Sequence, residues 1–149
     1  MPRNPSAPSQ GTMNLMNKVH RALLTLSGGR IGWRLSGMAM LELTTTGRKS
    51  GQPRSTMLSS PMERNGSYVV VASRGGDDHH PAWYLNLVAN PEVDVVYTGA
   101  ATQRRIARVA TPAERAELWP VITAEHKNYA GYQTRTDREI PLVYLDPVT

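Results

Sequence analysis

Residues 38–73, MAMLELTTTGRKSGQPRSTMLSSPMERNGSYVVVAS, contain the strand and turn patterns from which the fold class follows. Runs of apolar and β-branched residues predict strands at 38–45, 54–62 and 67–73. A basic turn joins the first two strands, and Asn65-Gly66 has the residues of a tight hairpin turn between the second and the third. We therefore predict three neighbouring antiparallel strands.

The rest of the chain adds helices and further strands. A short helix is expected to begin at Pro81 and to end at Asn90-Pro91, followed by strands at 92–98 and 101–109. Thr111 and Glu114 are spaced as a capping box for a second helix, and 140–145 is expected to be the last strand. This order does not alternate strands with helices, so it predicts a mainly β (α+β) fold, a mostly antiparallel barrel with flanking helices.

The amino-terminal part differs in character from the rest. Residues 1–11 are rich in Pro, Ser, Asn and Gln, and we expect a disordered lead-in. Residues 12–36 are expected to form an amphipathic, basic helix and a connection, and 37–149 the barrel domain. The helix either packs its apolar face on the domain or has a membrane-surface or lipid-substrate role.

The composition favours anionic partners. The 149 residues carry 17 Lys and Arg against 12 Asp and Glu, a net charge of +5. Nucleic acid, an anionic membrane and a polyanionic cofactor all fit this charge. The chain has no cysteine, so redox chemistry would have to come from a coenzyme. No secretory signal or bilayer-spanning run is evident, and a cytoplasmic location is expected, with the inner face of the cell membrane as an alternative.

The turn at 44–54, TTTGRKSGQPR, is the first candidate site. Gly47 and Gly51 allow the backbone to turn with its amides facing outward, and Arg48, Lys49 and Arg54 add positive charge. Such a turn suits phosphate or carboxylate oxygens, although a solvated hairpin tip has the same appearance. It is not a Walker A loop, because Arg48 separates Gly47 from Lys49.

A second candidate lies at 72–76, ASRGG, which leads towards the helix sequence PAWYLNL at 81–87. A strand end, a glycine loop and a helix start together favour anion binding, and Arg74 adds a cation. The adjacent residues 77–80, DDHH, point in different directions, so no metal site is expected. Trp83 and Tyr84 are in themselves typical of a core.

Five blocks in this order resemble the deazaflavin-dependent nitroreductase family of actinobacteria, over residues 40–146: TTTGRKSGQPR, VASRGG, PAWYLNLVANPEV, ATPAERAELWP and YAGYQTRTDREIPLV. The resemblance implies a split β-barrel related to flavin mononucleotide (FMN)-binding oxidoreductases. It also implies coenzyme F420, whose phosphate and oligoglutamate tail would explain the basic turn. The coenzyme-binding residues that it implies are Arg48, Lys49, Ser50, Gly51, Arg54, Thr56, Leu58, Ala72, Ser73, Arg74, Gly75, Gly76, Trp83, Tyr84, Asn86 and Leu87.

The resemblance also indicates a substrate side. Tyr129 and Tyr132 match two carboxy-terminal tyrosines of the family, and together with His126 they are candidates to orient an acceptor or supply a proton. Family members that act on nitroimidazole prodrugs carry tyrosine where this chain has His126 and Ser59. The resemblance therefore gives no expectation of prodrug activation.

The expected function is hydride transfer from reduced F420 to an electron-poor small molecule, such as a quinone, an enone or lactone, or a nitroaromatic. An F420 carrier without turnover and an FMN-dependent enzyme of the same fold are the alternatives. One phosphate does not need so many cations, which speaks against FMN. Nucleic-acid binding is not expected, because the cations lie in turns without an exposed aromatic platform. The chain is expected to be a monomer or a homodimer.

Overall fold

The computed structural model describes residues 34–35 and 38–148, with side chains from residue 38 onward. The predicted lead-in and amphipathic helix lie outside the described residues. The described strands are β1 (Arg34–Leu35), β2 (Met38–Thr46), β3 (Pro53–Ser60), β4 (Met62–Arg64), β5 (Ser67–Val71), β6 (Glu92–Tyr97), β7 (Gln103–Val109) and β8 (Leu142–Pro147). The described helices are α1 (Ala82–Ala89), α2 (Pro112–Glu125) and α3 (Lys127–Gln133), and Arg74–Gly76 forms a 3-10 turn.

All described strands belong to one antiparallel sheet. The hydrogen-bonded order is β1-β2-β6-β7-β8-β5-β4, and β3 pairs with the other edge of β2. The sheet is curled, which brings β3 beside β5 although the two strands are not neighbours in the hydrogen-bonded order. At this contact the Ser60 hydroxyl donates to the Val69 carbonyl at 2.9 Å. The predicted mostly antiparallel sheet with flanking helices is thus confirmed.

Strand β5 shows where the two cores lie. All five of its residues are buried, because both faces of the strand are covered. Tyr68 and Val70 face a core inside the curled sheet, and Val69 and Val71 face a second core beneath α2 and α3. Each fully buried valine contributes about 1.5–3 kcal/mol. The strand therefore holds the helices and the sheet in one unit.

The predicted second strand was wrong at one point. Residues 54–62 do not form one strand, since Pro61 interrupts the pairing and lacks an amide hydrogen. The segment before Pro61 is β3, paired with β2, and the segment after it is β4, paired with β5. The second predicted strand therefore pairs with the first through β3 and with the third through β4, and is not one continuous strand. The Asn65-Gly66 hairpin turn is confirmed, with positive φ angles of 53° and 83°.

The carboxy-terminal part contains a helix that the sequence did not predict. Helix α3 is a seven-residue segment with Gly131 inside it, and its sequence pattern is too short to be recognised. The capping box of α2 is confirmed, since Glu114 N–H donates to the Thr111 hydroxyl and Thr111 N–H donates to the Glu114 carboxylate. Strand β8 begins after Pro141 and extends to Pro147, two residues beyond the predicted end.

Candidate functional site

A cleft of about 810 Å³ lies between the basic turn, β3 and α1. It includes nine of the predicted coenzyme-binding residues: Arg48, Lys49, Ser50, Arg54, Thr56, Leu58, Arg74, Trp83 and Asn86. The structure therefore brings both candidate sites of the sequence to one cavity. Its other lining residues are Thr45, Gly47, Ser55, Met57, His80, Pro81, Ala82 and Leu85.

The basic turn has a defined backbone shape. Gly47 N–H donates to the Gln52 carbonyl at 2.8 Å, and Gly51 N–H donates to the Gly47 carbonyl at 2.8 Å. Gly51 has a φ of 71°, which L side chains rarely adopt. These bonds bring Arg48, Lys49 and Ser50 to the tip of the turn, where all three are exposed.

Asn86 on α1 ties the basic turn to the helix. Its Oδ1 accepts from the Arg48 backbone N–H at 3.1 Å and from Arg48 Nη1 at 2.9 Å. Its Nδ2 donates to the Thr45 hydroxyl on β2 at 3.2 Å. Asn86 is buried, so these bonds are shielded from water. One amide thereby sets the position of the turn relative to the strand and the helix.

Four cationic side chains line the cleft: Arg48, Lys49, Arg54 and Arg74. The first three are exposed at the basic turn, where Arg54 Nη2 also approaches the Ser50 hydroxyl at 3.5 Å. Arg74 is mostly buried, and its Nη1 lies 3.4 Å from Asp77 Oδ2. Its Nε has no hydrogen-bond partner among the residues that the structure describes. The cleft can therefore serve several oxyanions at separate points.

Apolar side chains form another wall of the cleft. Leu58 and Trp83 line it while packing against the core inside the sheet, and buried Met57 is beside them in the lining. Leu58 comes from β3 and Trp83 from the first turn of α1. A flat aromatic ring can pack on such a surface, because apolar contact needs no charge.

Arg138 holds the loop that carries Arg74. Its Nη2 donates to the Ser73 carbonyl at 2.8 Å, Nη1 to the Ala72 carbonyl at 3.2 Å, and Nε to the Asp77 carbonyl at 2.8 Å. Sequence reasoning missed Arg138, which is one of several arginines in a polar segment and carries no local signal of this role.

Seven predicted coenzyme-binding residues are not among those that line the cleft: Gly51, Ala72, Ser73, Gly75, Gly76, Tyr84 and Leu87. Ala72 and Ser73 are buried and offer their carbonyls to Arg138, and Leu87 belongs to the core. A Cβ at Gly76 would lie 2.6 Å from the Tyr132 carbonyl oxygen. Direct contact of these residues with the coenzyme stays a prediction. The contacts of Ala72, Ser73 and Leu87 are with Arg138 or the core, next to the residues that line the cleft.

The candidate acceptor residues lie on and beside α3, outside the lining of the cleft. Tyr129 is buried, its hydroxyl lies 3.5 Å from Met38 Sδ, and burial raises its pKa well above the ordinary value. The Tyr129 ring meets the Tyr132 ring edge-on at 6.0 Å and the His126 ring at 6.3 Å. The structure thus brings the three residues together, and their catalytic role stays a prediction.

Two further features of the described residues concern the requirements of a metal site and of a membrane-spanning helix. They contain no group of three His, Cys, Asp or Glu side chains placed to hold a metal ion. In the described part of the chain, every helix is too short or too polar to cross a bilayer.

Comparison with known proteins shows a family match along most of the chain. Residues 16–147 match the family described as F420H(2)-dependent quinone reductase. An F420H(2)-dependent quinone reductase of Mycobacterium tuberculosis is 38% identical over 135 residues, which are 86% of this chain and 87% of that protein.

Two solved structures share the fold. The structure of an F420-H2 dependent reductase is 42% identical with a TM-score of 0.63, and the match covers 72% of this chain and 93% of that one. A second, described as a domain-swapped dimer, is 36% identical with a TM-score of 0.66, covering 92% of this chain and 100% of that one. The predicted split β-barrel fold and the predicted resemblance are both confirmed. The chain belongs to the F420H(2)-dependent quinone reductase family.

Proposed function

We propose that this protein is an F420-dependent reductase that passes a hydride from reduced F420 to a quinone or another electron-poor acceptor. The family match and the 38% identity to an F420H(2)-dependent quinone reductase support the coenzyme and the reaction. The observation that carries the proposal to particular residues is the cleft, which joins a cationic part to an apolar wall.

The lining of the cleft fits the two parts of F420. The tail of F420 carries a phosphate and glutamate carboxylates, and Arg48, Lys49 and Arg54 present exposed cations at one turn. Arginine binds such oxygens with a planar, two-pronged fork, and lysine adds a mobile point charge. Arg74 adds a fourth, mostly buried cation to the lining. A single phosphate, as in FMN, would leave most of these cations without a partner.

The apolar wall suits the deazaflavin ring, which supplies the hydride when the coenzyme is bound. Leu58 and Trp83 would hold that ring by apolar packing and exclude water from one of its faces. Asn86 keeps Arg48 in place, so the tail and the ring would be bound in a fixed relation. Fixing both parts lowers the entropy cost of reaching the reactive geometry.

Reducing a quinone to a quinol takes one hydride and one proton. We assign the acceptor to the α3 side, because α3 packs on the turn that carries Arg74, and Arg135 Nη1 donates to the Gly75 carbonyl at 3.2 Å. There His126, Tyr129 or Tyr132 would orient the acceptor or donate the proton, and water could also donate it. Lower kcat with unchanged F420 affinity in Tyr129→Phe or Tyr132→Phe would support this role for the tyrosine replaced. Unchanged kcat in both variants would remove the tyrosines from it.

Anaerobic mixing of the pure protein, reduced F420 and menadione tests the reaction. We expect the absorbance of oxidised F420 to appear faster than in the protein-free control. Tight F420 binding without turnover for any acceptor would indicate a carrier instead. A flavin spectrum in the purified protein, with no affinity for F420, would favour the FMN-dependent alternative.

Assembly and location have separate tests. A 36% identical solved structure is described as a domain-swapped dimer, which favours a homodimer over a monomer. Analytical ultracentrifugation of the full chain distinguishes the two. Peripheral membrane association through residues 12–36 stays a prediction, and liposome flotation with and without residues 1–30 tests it.

A further inference from the structure

His80 lines the cleft, and neither the proposed binding of F420 nor the proposed acceptor site involves it. It lies two residues before α1, and its ring packs against the Tyr84 ring with the centroids 4.6 Å apart. The side chain is half-buried. Packing on one face and partial burial hold the imidazole in a definite position at the edge of the cavity.

Arg138 determines which nitrogen of His80 carries the proton. Arg138 Nη1 lies 3.1 Å from His80 Nδ1. A guanidinium has only donors, so Nδ1 must be the acceptor and must itself be unprotonated. The proton of the neutral ring then resides on Nε2. Three further bonds, to the carbonyls of Ala72, Ser73 and Asp77, keep Arg138 in place.

Burial and a neighbouring charge favour the neutral form of His80. Burial first, and the charge of Arg138 second, lower its pKa below the ordinary value of 6.5. The other titratable groups around Arg138 are Asp77 and Asp78 on the same loop, Arg74 on the 3-10 turn, and Tyr84 on α1. His80 is thus a neutral group in a cleft whose other ionisable lining residues are cations.

We propose that His80, held by Arg138 as the Nε2–H tautomer, donates a hydrogen bond to a carbonyl oxygen of the molecule bound in the cleft. A neutral donor suits an uncharged carbonyl, whereas the arginines and the lysine suit the anionic tail. The carbonyl belongs either to the deazaflavin ring or to a quinone acceptor that extends from the α3 side into the cleft. This assignment rests on the proposed function for the occupant of the cleft, while the state of the imidazole does not.

The first test needs no coenzyme. Nitrogen-15 NMR of the labelled protein distinguishes a pyrrole-like from a pyridine-like ring nitrogen, and His80→Phe identifies the signals of His80 among the four histidines. We expect a protonated Nε2 and an unprotonated Nδ1 at neutral pH. Protonation at Nδ1, or an even mixture of tautomers, would overturn the proposal.

The second test uses His80→Phe for binding and turnover. Phenylalanine keeps a ring against Tyr84 and removes the donor, and Arg138 Nη1 still has the Ala72 carbonyl as its acceptor. Loss of one neutral hydrogen bond is expected to weaken the affected step about three- to tenfold. The matched control is His79→Phe at the exposed neighbouring position, which should leave both steps unchanged.

The affected step identifies the source of the carbonyl. Weaker F420 binding in His80→Phe would indicate the deazaflavin ring, and a higher KM for menadione with unchanged F420 affinity would indicate the acceptor. Neither change, or equal changes in His79→Phe, would overturn the proposal. If the unmodified protein does not bind F420, the proposed function and the carbonyl contact both fail, and the NMR result still reports the Arg138–His80 contact.

Discussion

Asn86 accepts two hydrogen bonds from Arg48, one from the backbone N–H at 3.1 Å and one from Nη1 at 2.9 Å. The amide is 4% exposed and the arginine is exposed, so a buried group positions a surface cation. The two residues are 38 positions apart in sequence, and their contact joins α1 to the basic turn. The cleft therefore has a cation whose position is fixed by a buried side chain, which an ordinary charged surface lacks.

Replacing Asn86 tests this positioning role. Asn86→Ala removes the single oxygen that accepts both bonds from Arg48, and also the donor to Thr45, so we expect a loss of about 1–3 kcal/mol in unfolding free energy. F420 affinity should fall about three- to tenfold, because Arg48 is no longer held. Urea unfolding and a fluorescence titration measure the two effects. The control is Asn90→Ala at the exposed end of α1, which should change stability by less than about 0.5 kcal/mol. Equal effects in the two variants would contradict the role.

Replacement of Gly76 and of Gly131 by alanine should change the stability of the protein in opposite directions. Gly76 has a φ of 86°, and its Cβ would meet the Tyr132 carbonyl oxygen at 2.6 Å, so Gly76→Ala should destabilise the protein by more than about 1–2 kcal/mol. Gly131 lies inside α3 with nothing within 4 Å of an added Cβ. Gly131→Ala should stabilise the protein by about 0.5–1 kcal/mol, because alanine favours the helix. Thermal unfolding of the two variants checks both signs.

The capping box of α2 should make part of the stability depend on pH. The hydrogen bond from Thr111 N–H and then the bond from Arg108 lower the pKa of Glu114 below 4.5 in the folded protein. Since the folded pKa is the lower one, the stabilisation is present above about pH 4.5 and is lost as the pH falls through the folded value.

The variant Glu114→Gln isolates this contribution. Because the carboxylate is partly exposed, its loss should cost no more than about 1 kcal/mol at pH 7. The difference from the unmodified protein should shrink as the pH falls from 7 through the lowered folded pKa of Glu114. Melting temperatures across this range provide the measurement, with Glu125→Gln at the exposed other end of α2 as the control. A difference independent of pH would show that the charge of Glu114 is not involved.

Local patterns in the sequence predicted most of the fold. The Asn65-Gly66 hairpin and the Thr111 capping box depend on residues within a few positions of each other, and both are confirmed. The basic turn and the Asn65-Gly66 turn also predicted that the segment between them pairs with the strands on either side of it, but not that it divides into β3 and β4 at Pro61. A proline can lie at an edge of a continuous strand or end it, and only the folded sheet shows that Pro61 ends the pairing of β3.

In the candidate site, too, local sequence features were predictable and contacts between distant residues were not. The glycines and cations within eleven residues predicted a turn at 44–54, and their role as an oxyanion site stays a prediction. Asn86 was found through the family resemblance, and its bonds to Arg48 were not predictable from the residues. The Arg138–His80 contact joins residues 58 positions apart, and no local pattern marks either residue. Only the folded chain brings such pairs together.

The central claim is that the cleft beside the basic turn holds the anionic tail of F420. The F420 affinity of Lys49→Ala tests this, with Lys127→Ala at an exposed position of α3 as the matched control. Loss of one exposed charge pair should weaken binding about two- to fivefold at low salt, and this difference should shrink as the salt concentration rises. It should be larger for long oligoglutamate tails, and Lys127→Ala should bind as the unmodified protein does. Equal affinities for the unmodified protein and Lys49→Ala at low salt, with a long tail, would contradict the account.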